Sequence, residues 1–325
     1  MRAAFLALGL LAAAASAAAR AGPVEVLAFG SFTPQDYAEI INGSYRQSPV
    51  ELQGHLSRPD NAAASVPAVV IIPGSGGYAQ WMQDTVAEPL NRIGIATLIV
   101  DSFAGRGVKE TARDQGRVPM AASVLDGFQA LALLARQPGI DARRIGITGF
   151  SRGGVAALFT AERRLADALP GQPRFAAHLP FYPGCSTQWD NPQPVAAPLL
   201  LLLGARDDYT PAANCLGYAV RLRVAGADIR TRLYDTAGHA WMADYPARRS
   251  NVQTFGECDL RIEDDGQIRD AKSGASSREG WKEFAARVMA SCGGIGATVG
   301  ADAEARVAAT ADMLDFFRRT LLRQP

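Results

Sequence analysis

Arg144-Ile-Gly-Ile-Thr-Gly-Phe-Ser-Arg-Gly-Gly-Val-Ala-Ala-Leu-Phe159 decides the fold. Residues 144–148 read as a short buried strand, and an apolar helical pattern begins at Val155. Between them Gly149-Phe150-Ser151-Arg152-Gly153 fits G-x-S-x-G, with Gly154 following. A strand that turns sharply into a helix presents the serine at the helix N-terminus, where the local field favours an anion. The flanking glycines remove the Cβ atoms that so tight a turn excludes. Ser151 is therefore the candidate nucleophile, although a serine after a glycine turn also serves as an ordinary helix cap.

Around this stretch strand and helix alternate. Residues 68–72, 95–100 and 198–203 are short aliphatic runs bounded by Gly or Pro, as in strands buried on both faces. Residues 24–29, 51–56, 175–181 and 230–234 are weaker strand candidates. Residues 120–136, 151–169, 212–224 and 310–322 read as helices. The alternation predicts an α/β fold, a mostly parallel central sheet with helices on both faces. From 240 to about 300 the rhythm breaks into a polar, Gly/Ser-containing stretch with two cysteines, read as an insertion within one domain spanning 22–325.

Serine needs a base, and the chain has three histidines. His55 falls on an early strand and His178 inside an apolar run, where core packing is the default. His239 lies in a glycine-bearing loop after the last expected strand, where α/β sheets display functional groups. It is the candidate base. The orienting carboxylate belongs in Gly204-Ala-Arg-Asp207-Asp208-Tyr-Thr-Pro211, and spacing leaves Asp207 and Asp208 open. A second aspartate there suits a cap, Asp208 serving the helix that starts near Pro211. Oxyanion donors are expected from the backbone N–H of Arg152 and from the loop 73–77, with Ser75 nominated. That loop lacks the Lys-Ser/Thr of a nucleotide-binding loop. Arg106 and Arg152 read as solvated arginines, with attraction of an acidic substrate as the alternative, and Trp81, Trp189 and Tyr209 as core or pocket-lining residues.

Residues 1–21 carry Arg2, an alanine-rich apolar run and small-residue cleavage sites, as in a signal peptide. Export, to the periplasm or beyond, is the expectation, with no membrane association after cleavage. In an oxidising compartment the four cysteines are expected as disulfides, with Cys185–Cys215 and Cys258–Cys292 favoured because each closes a moderate loop. No Cys-x-x-Cys spacing or histidine cluster suggests a metal, and no cofactor is expected. The formal charge of +1 leaves no basic surplus for nucleic acid. A small acyl substrate is the expected partner; the sequence leaves the oligomeric state open.

With Ser151, an acid and His239 in that order, the chain resembles the α/β-hydrolase superfamily, and within it the dienelactone hydrolase-like family. The resemblance rests on Val70-Ile-Ile-Pro-Gly-Ser-Gly-Gly77, Asp101-Ser-Phe-Ala-Gly-Arg-Gly107, Gly149–Gly154, Tyr182-Pro-Gly-Cys185, Gly204–Pro211 and Gly238-His239. It implies Asp207 as the acid, three residues after Gly204 and four before Pro211. It also implies a serine carboxylic ester hydrolase working through an acyl-enzyme. The founding members use a cysteine nucleophile, so their dienelactone substrate does not carry over to Ser151. In the superfamily the oxyanion loop often begins His-Gly, where this chain has Pro73-Gly74. Residues 240–300 exceed a minimal hydrolase core and suggest a partial lid. Two other readings are an exported oligopeptidase-like peptidase, for whose large extra domain the chain has no room, and a non-catalytic binding module, in which the triad should be degraded.

Overall fold

The aliphatic runs are the strands of the central sheet. In the computed structural model, which describes residues 22–60 and 65–322, the strands are β1 (Glu25–Phe32), β2 (Pro49–Ser57), β3 (Val66–Ile72), β4 (Ala96–Asp101), β5 (Ile140–Phe150), β6 (Ala177–Phe181), β7 (Thr187–Trp189), β8 (Leu199–Gly204), β9 (Ile229–Tyr234), β10 (Arg248–Thr254), β11 (Leu260–Ile262), β12 (Ile268–Asp270) and β13 (Gly294–Val299). The expected signal segment, 1–21, lies outside the described residues.

Eight strands form the main sheet in the order β1-β2-β4-β3-β5-β6-β8-β9. The six strands β4, β3, β5, β6, β8 and β9 are parallel, and β1 and β2 extend the sheet antiparallel at one edge. All the weaker strand candidates belong to this sheet. Alternation along β3 explains why its sequence is uniformly apolar. Ala68, Val70 and Ile72 join a core with helices Met120–Leu134, Arg152–Phe159 and Ala212–Val224. Val69 and Ile71 face the opposite core, closed by Trp81–Leu90 and helix Ala303–Phe317. A sheet covered on both faces has no polar side to show in its sequence.

The expected helix over 151–169 is broken. Arg152–Phe159 ends at Thr160, and Glu162 turns extended to bridge with Pro194 before a second short helix, Arg163–Asp167. The stretch beyond 240 is more ordered than its composition suggests. β10 pairs with β13, β11 pairs with β12 and lies parallel to β7, and helix Trp281–Cys292 lies between β12 and β13 in the chain.

The chain leaves β3 to form β4 on one side and β5 on the other, so strand order reverses between β3 and β5. Crevices at such switch points, beyond the carboxyl ends of the strands, are where open α/β sheets hold ligands. The loop after β3 carries Ser75 and the turn after β5 carries Ser151.

Candidate active site

At the end of β5 the backbone turns through Ser151, at φ 55° and ψ −112°, directly into the helix that starts at Arg152. A positive φ at a non-glycine residue costs about 1–3 kcal/mol and persists only where surroundings enforce it. Here they do: the Ser151 N–H donates to Phe181 O at 3.0 Å. The glycines are required by close approach. A Cβ on Gly149 would lie 2.2 Å from Gly153 O, and one on Gly153 would lie 2.1 Å from Ile72 O. Both obstacles are backbone and cannot rotate away.

Ser151, His239 and Asp207 come together. Ser151 Oγ is 2.9 Å from His239 Nε2, and His239 Nδ1 is 2.8 Å from Asp207 Oδ2. Asp207 Oδ1 accepts from the N–H groups of Tyr209 (2.9 Å) and Thr210 (2.8 Å), and Oδ2 accepts from the Thr210 hydroxyl at 2.9 Å. Burial alone would push the Asp207 carboxyl up; the facing His239 and these N–H donors outweigh it and hold the group below the ordinary carboxylate range. The imidazole is packed between the rings of Tyr182 and Tyr209, with centroids 4.9 and 4.5 Å away. Among the described residues the non-glycine positions with positive φ are Ser151, Tyr182 and Ala240. All three are at, or next to, this constellation.

The other histidines stand apart. His178 is buried on β6 with Nδ1 3.1 Å from Ala157 O, and burial pulls it down to about 4. His55 stacks on Tyr78, 4.1 Å between centroids. Asp208 does not cap the helix at Pro211, where the sequence suggested it would. It turns outward, accepting from the Thr298 N–H at 2.8 Å and pairing with Arg249 at 2.9 Å, because Asp207 occupies the inner face of the turn.

Both arginines read as solvated are buried. Arg106 pairs with Asp126 at 2.8 Å, the two side chains 5% and 0% exposed, and also bonds Thr33 Oγ1 and Phe32 O. The Arg152 side chain donates to Val118 O (2.9 Å), Gln115 O (3.0 Å) and Gln115 Oε1 (2.9 Å), and burial pulls it down to about 10, still cationic at neutral pH. Trp81 and Trp189 are core residues, packed on Phe150 and Tyr37 respectively. Tyr209 lines the cavity described below.

Two residues absent from the sequence reading organise the site. Gln115 Nε2 lies 3.0 Å from Ser75 Oγ and 2.9 Å from the Tyr209 hydroxyl, so one amide ties the loop after β3 to the acid loop and to Arg152. Nothing periodic marks it, since it sits in a short 3₁₀ turn, Gln115–Arg117. Thr210 bonds Asp207 and sits 3.0 Å from His239 Nδ1; its place three residues after Asp207 was a usable signal. The loop after β3 lies against the nucleophile turn, for a Cβ on Gly74 would be 3.0 Å from Phe150 O.

Beside Ser151 opens a cavity of about 140 Å³. Its inner wall includes Val155 and Met120, and its roof comes from the segment after β10, including Phe255, Leu260, Ile268 and Phe284. Both expected disulfides are present and frame it. Cys185–Cys215 joins the loop after β6 to helix Ala212–Val224, and Cys258–Cys292 closes the roof segment. Trp281 Nε1 donates to Gly116 O at 3.0 Å, fastening the roof to the Gln115 turn.

The sequence profile of the Dienelactone hydrolase family matches residues 52–321. A candidate carboxymethylenebutenolidase of Yersinia pestis is 27% identical over 208 residues, 60% of this chain and 76% of that protein. A candidate 2-oxo-3-(5-oxofuran-2-ylidene)propanoate lactonase of a Bradyrhizobium species is 23% identical over 197 residues, 58% of this chain and 77% of its own length. Among solved structures, the dienelactone hydrolase-like promiscuous phosphotriesterase P91 from metagenomic libraries superposes with a TM-score of 0.54 at 16% identity, covering 91% of this chain and 98% of its own. That last likeness speaks to the α/β-hydrolase fold. The chain belongs to the dienelactone hydrolase family of carboxylic ester hydrolases.

Proposed function

We propose that the protein is an exported serine hydrolase that cleaves an ester through an acyl-enzyme, with Ser151 as nucleophile, His239 as base and Asp207 as its orienting acid. The observation that carries the reading is the unbroken chain of contacts, 2.9 Å from Ser151 Oγ to His239 Nε2 and 2.8 Å from His239 Nδ1 to Asp207 Oδ2. Asp207 accepts from Nδ1–H, so the neutral imidazole has Nε2 free to take the serine proton. Ser151 Oγ attacks the ester carbonyl, His239 carries the proton to the departing alkoxy oxygen, and water then repeats the sequence to release the acid. The backbone N–H groups of Arg152 and Ser75 are the proposed oxyanion donors. The first N–H groups of a helix have no intrahelical partner, and a donor of this kind contributes ~3 kcal/mol in the transition state.

Export is supported by two disulfides in a chain with no free cysteine among the described residues, and by the signal-like residues 1–21. Among the described residues no helix is long and apolar enough to cross a membrane. Replacing Ser151 with alanine should abolish hydrolysis of an activated short-chain ester while leaving the melting temperature close to that of the parent. Undiminished turnover by Ser151→Ala would sink the assignment.

A further inference from the structure

Resting on that reading, we infer that the cavity beside Ser151 is an acyl pocket for an uncharged, apolar group about the size of one aromatic ring, and that Phe284 and Val288 set this limit. Three observations converge. The first is size: the cavity is about 140 Å³, close to the roughly 150 Å³ engineered apolar cavity that admits benzene. The second is chemistry. Val155, Met120, Leu260, Ile268, Phe284 and Val288 supply aliphatic and aromatic surface. Arg152 is the one formally charged residue in the lining, and its terminal nitrogens are spent on Val118 O, Gln115 O and Gln115 Oε1. Its Nε has no partner but is shielded from solvent.

The third observation is placement. In acyl transfer the Ser151 Oγ–acyl bond forms as the acyl–alkoxy bond breaks, and the serine proton leaves on the alcohol by way of His239. The alcohol must then escape, whereas the acyl group stays covalently attached until water arrives. A pocket roofed by a segment stapled through Cys258–Cys292 and fastened by Trp281 to Gly116 suits the part that stays. Phe284 and Val288 lie one turn apart on helix Trp281–Cys292 and are its two buried residues, so they project from the roof into the pocket wall.

The test is a panel of p-nitrophenyl esters, butyrate, benzoate, decanoate and the anionic hemiglutarate, assayed with the parent, Phe284→Ala and the milder Val288→Ala. In the parent, kcat/KM for butyrate and benzoate should exceed that for decanoate and hemiglutarate by about tenfold or more, the scale on which apolar pockets discriminate. Phe284→Ala should raise the decanoate-to-butyrate ratio about tenfold, and Val288→Ala should raise it less. A parent preference for decanoate overturns the size limit, and a preference for hemiglutarate makes Arg152 an anion site instead. Ratios unchanged in both variants remove Phe284 and Val288 from the pocket. Labelling of Ser151 by a fluorophosphonate without turnover of any ester overturns the substrate class but leaves the hydrolase machinery standing. Failure of Ser151 to label sinks the underlying reading itself.

Discussion

Asp207 and Asp208 are adjacent, chemically identical and opposite in environment. Asp207 is 6% exposed and surrounded by two backbone N–H groups, the Thr210 hydroxyl and His239. Asp208 faces Arg249 and Thr298 at the surface. Asp207→Asn keeps the shape but offers His239 Nδ1 an amide in place of an acceptor carboxylate, so kcat should fall about 10³–10⁴-fold. Asp208→Asn should change it less than about threefold, since an exposed pair contributes little; equal losses in steady-state assays would refute the assignment. His178 supports a pH prediction. Burial holds its folded pKa near 4, below the ordinary value of 6.5. Between those values the unfolded chain binds a proton that the native state does not, so stability is complete above pH 6.5 and is lost as pH falls towards 4. The loss is about 3 kcal/mol. Urea titrations across this range should show a shallower pH dependence for His178→Gln than for the parent.

At the scale of elements, the turn between β5 and its helix is built from backbone in contact with backbone. Gly153→Ala sets a methyl 2.1 Å from Ile72 O, so β3 and the helix must part. Overpacking of this kind should cost at least about 3 kcal/mol, read as a fall in melting temperature, and should remove activity by displacing Ser151. An active variant with an unchanged melting temperature would show that the elbow is looser than its contacts imply. This turn was legible in the sequence because close approach leaves glycine as a visible trace, as does a strand buried on both faces. The loops that carry Asp207 and His239 were legible because each follows a strand and contains a glycine, but only the family resemblance separated Asp207 from Asp208. Arg106 was misread because its partner, Asp126, belongs to a helix whose orientation no local pattern encodes. Gln115 escaped notice for a related reason. Its importance lies in four contacts made to separate elements, to Ser75, Arg152, Tyr209 and Gln253, and a lone glutamine in a polar turn announces none of them.

For the molecule as a whole, the two disulfides close loops of similar length, with sequence separations of 30 and 34, but tie different kinds of structure. Cys185 and Cys215 are 2% and 0% exposed and belong to the main core. Cys258 (7% exposed) also belongs to that core and Cys292 packs against it, but this bridge joins the start of the roof segment to the end of a helix that buries only Phe284 and Val288 along its length. Chain entropy in the unfolded state does not depend on where a cross-link lies, so removing either bridge as a Ser pair should lower global stability by about 4 kcal/mol in denaturant titrations. The native states should nevertheless differ. A helix with so few buried anchors depends on its terminal staple to remain docked, and elements of low local stability open without global unfolding. In Cys258→Ser/Cys292→Ser, amide exchange over 281–292 should therefore accelerate under native conditions while β3 and β5 keep their protection relative to the global stability. In Cys185→Ser/Cys215→Ser the helix should exchange no faster than that global loss predicts. Identical exchange of 281–292 in both variants would mean that the roof is held by its side-chain contacts, Trp281 to Gly116 foremost, and not by the disulfide.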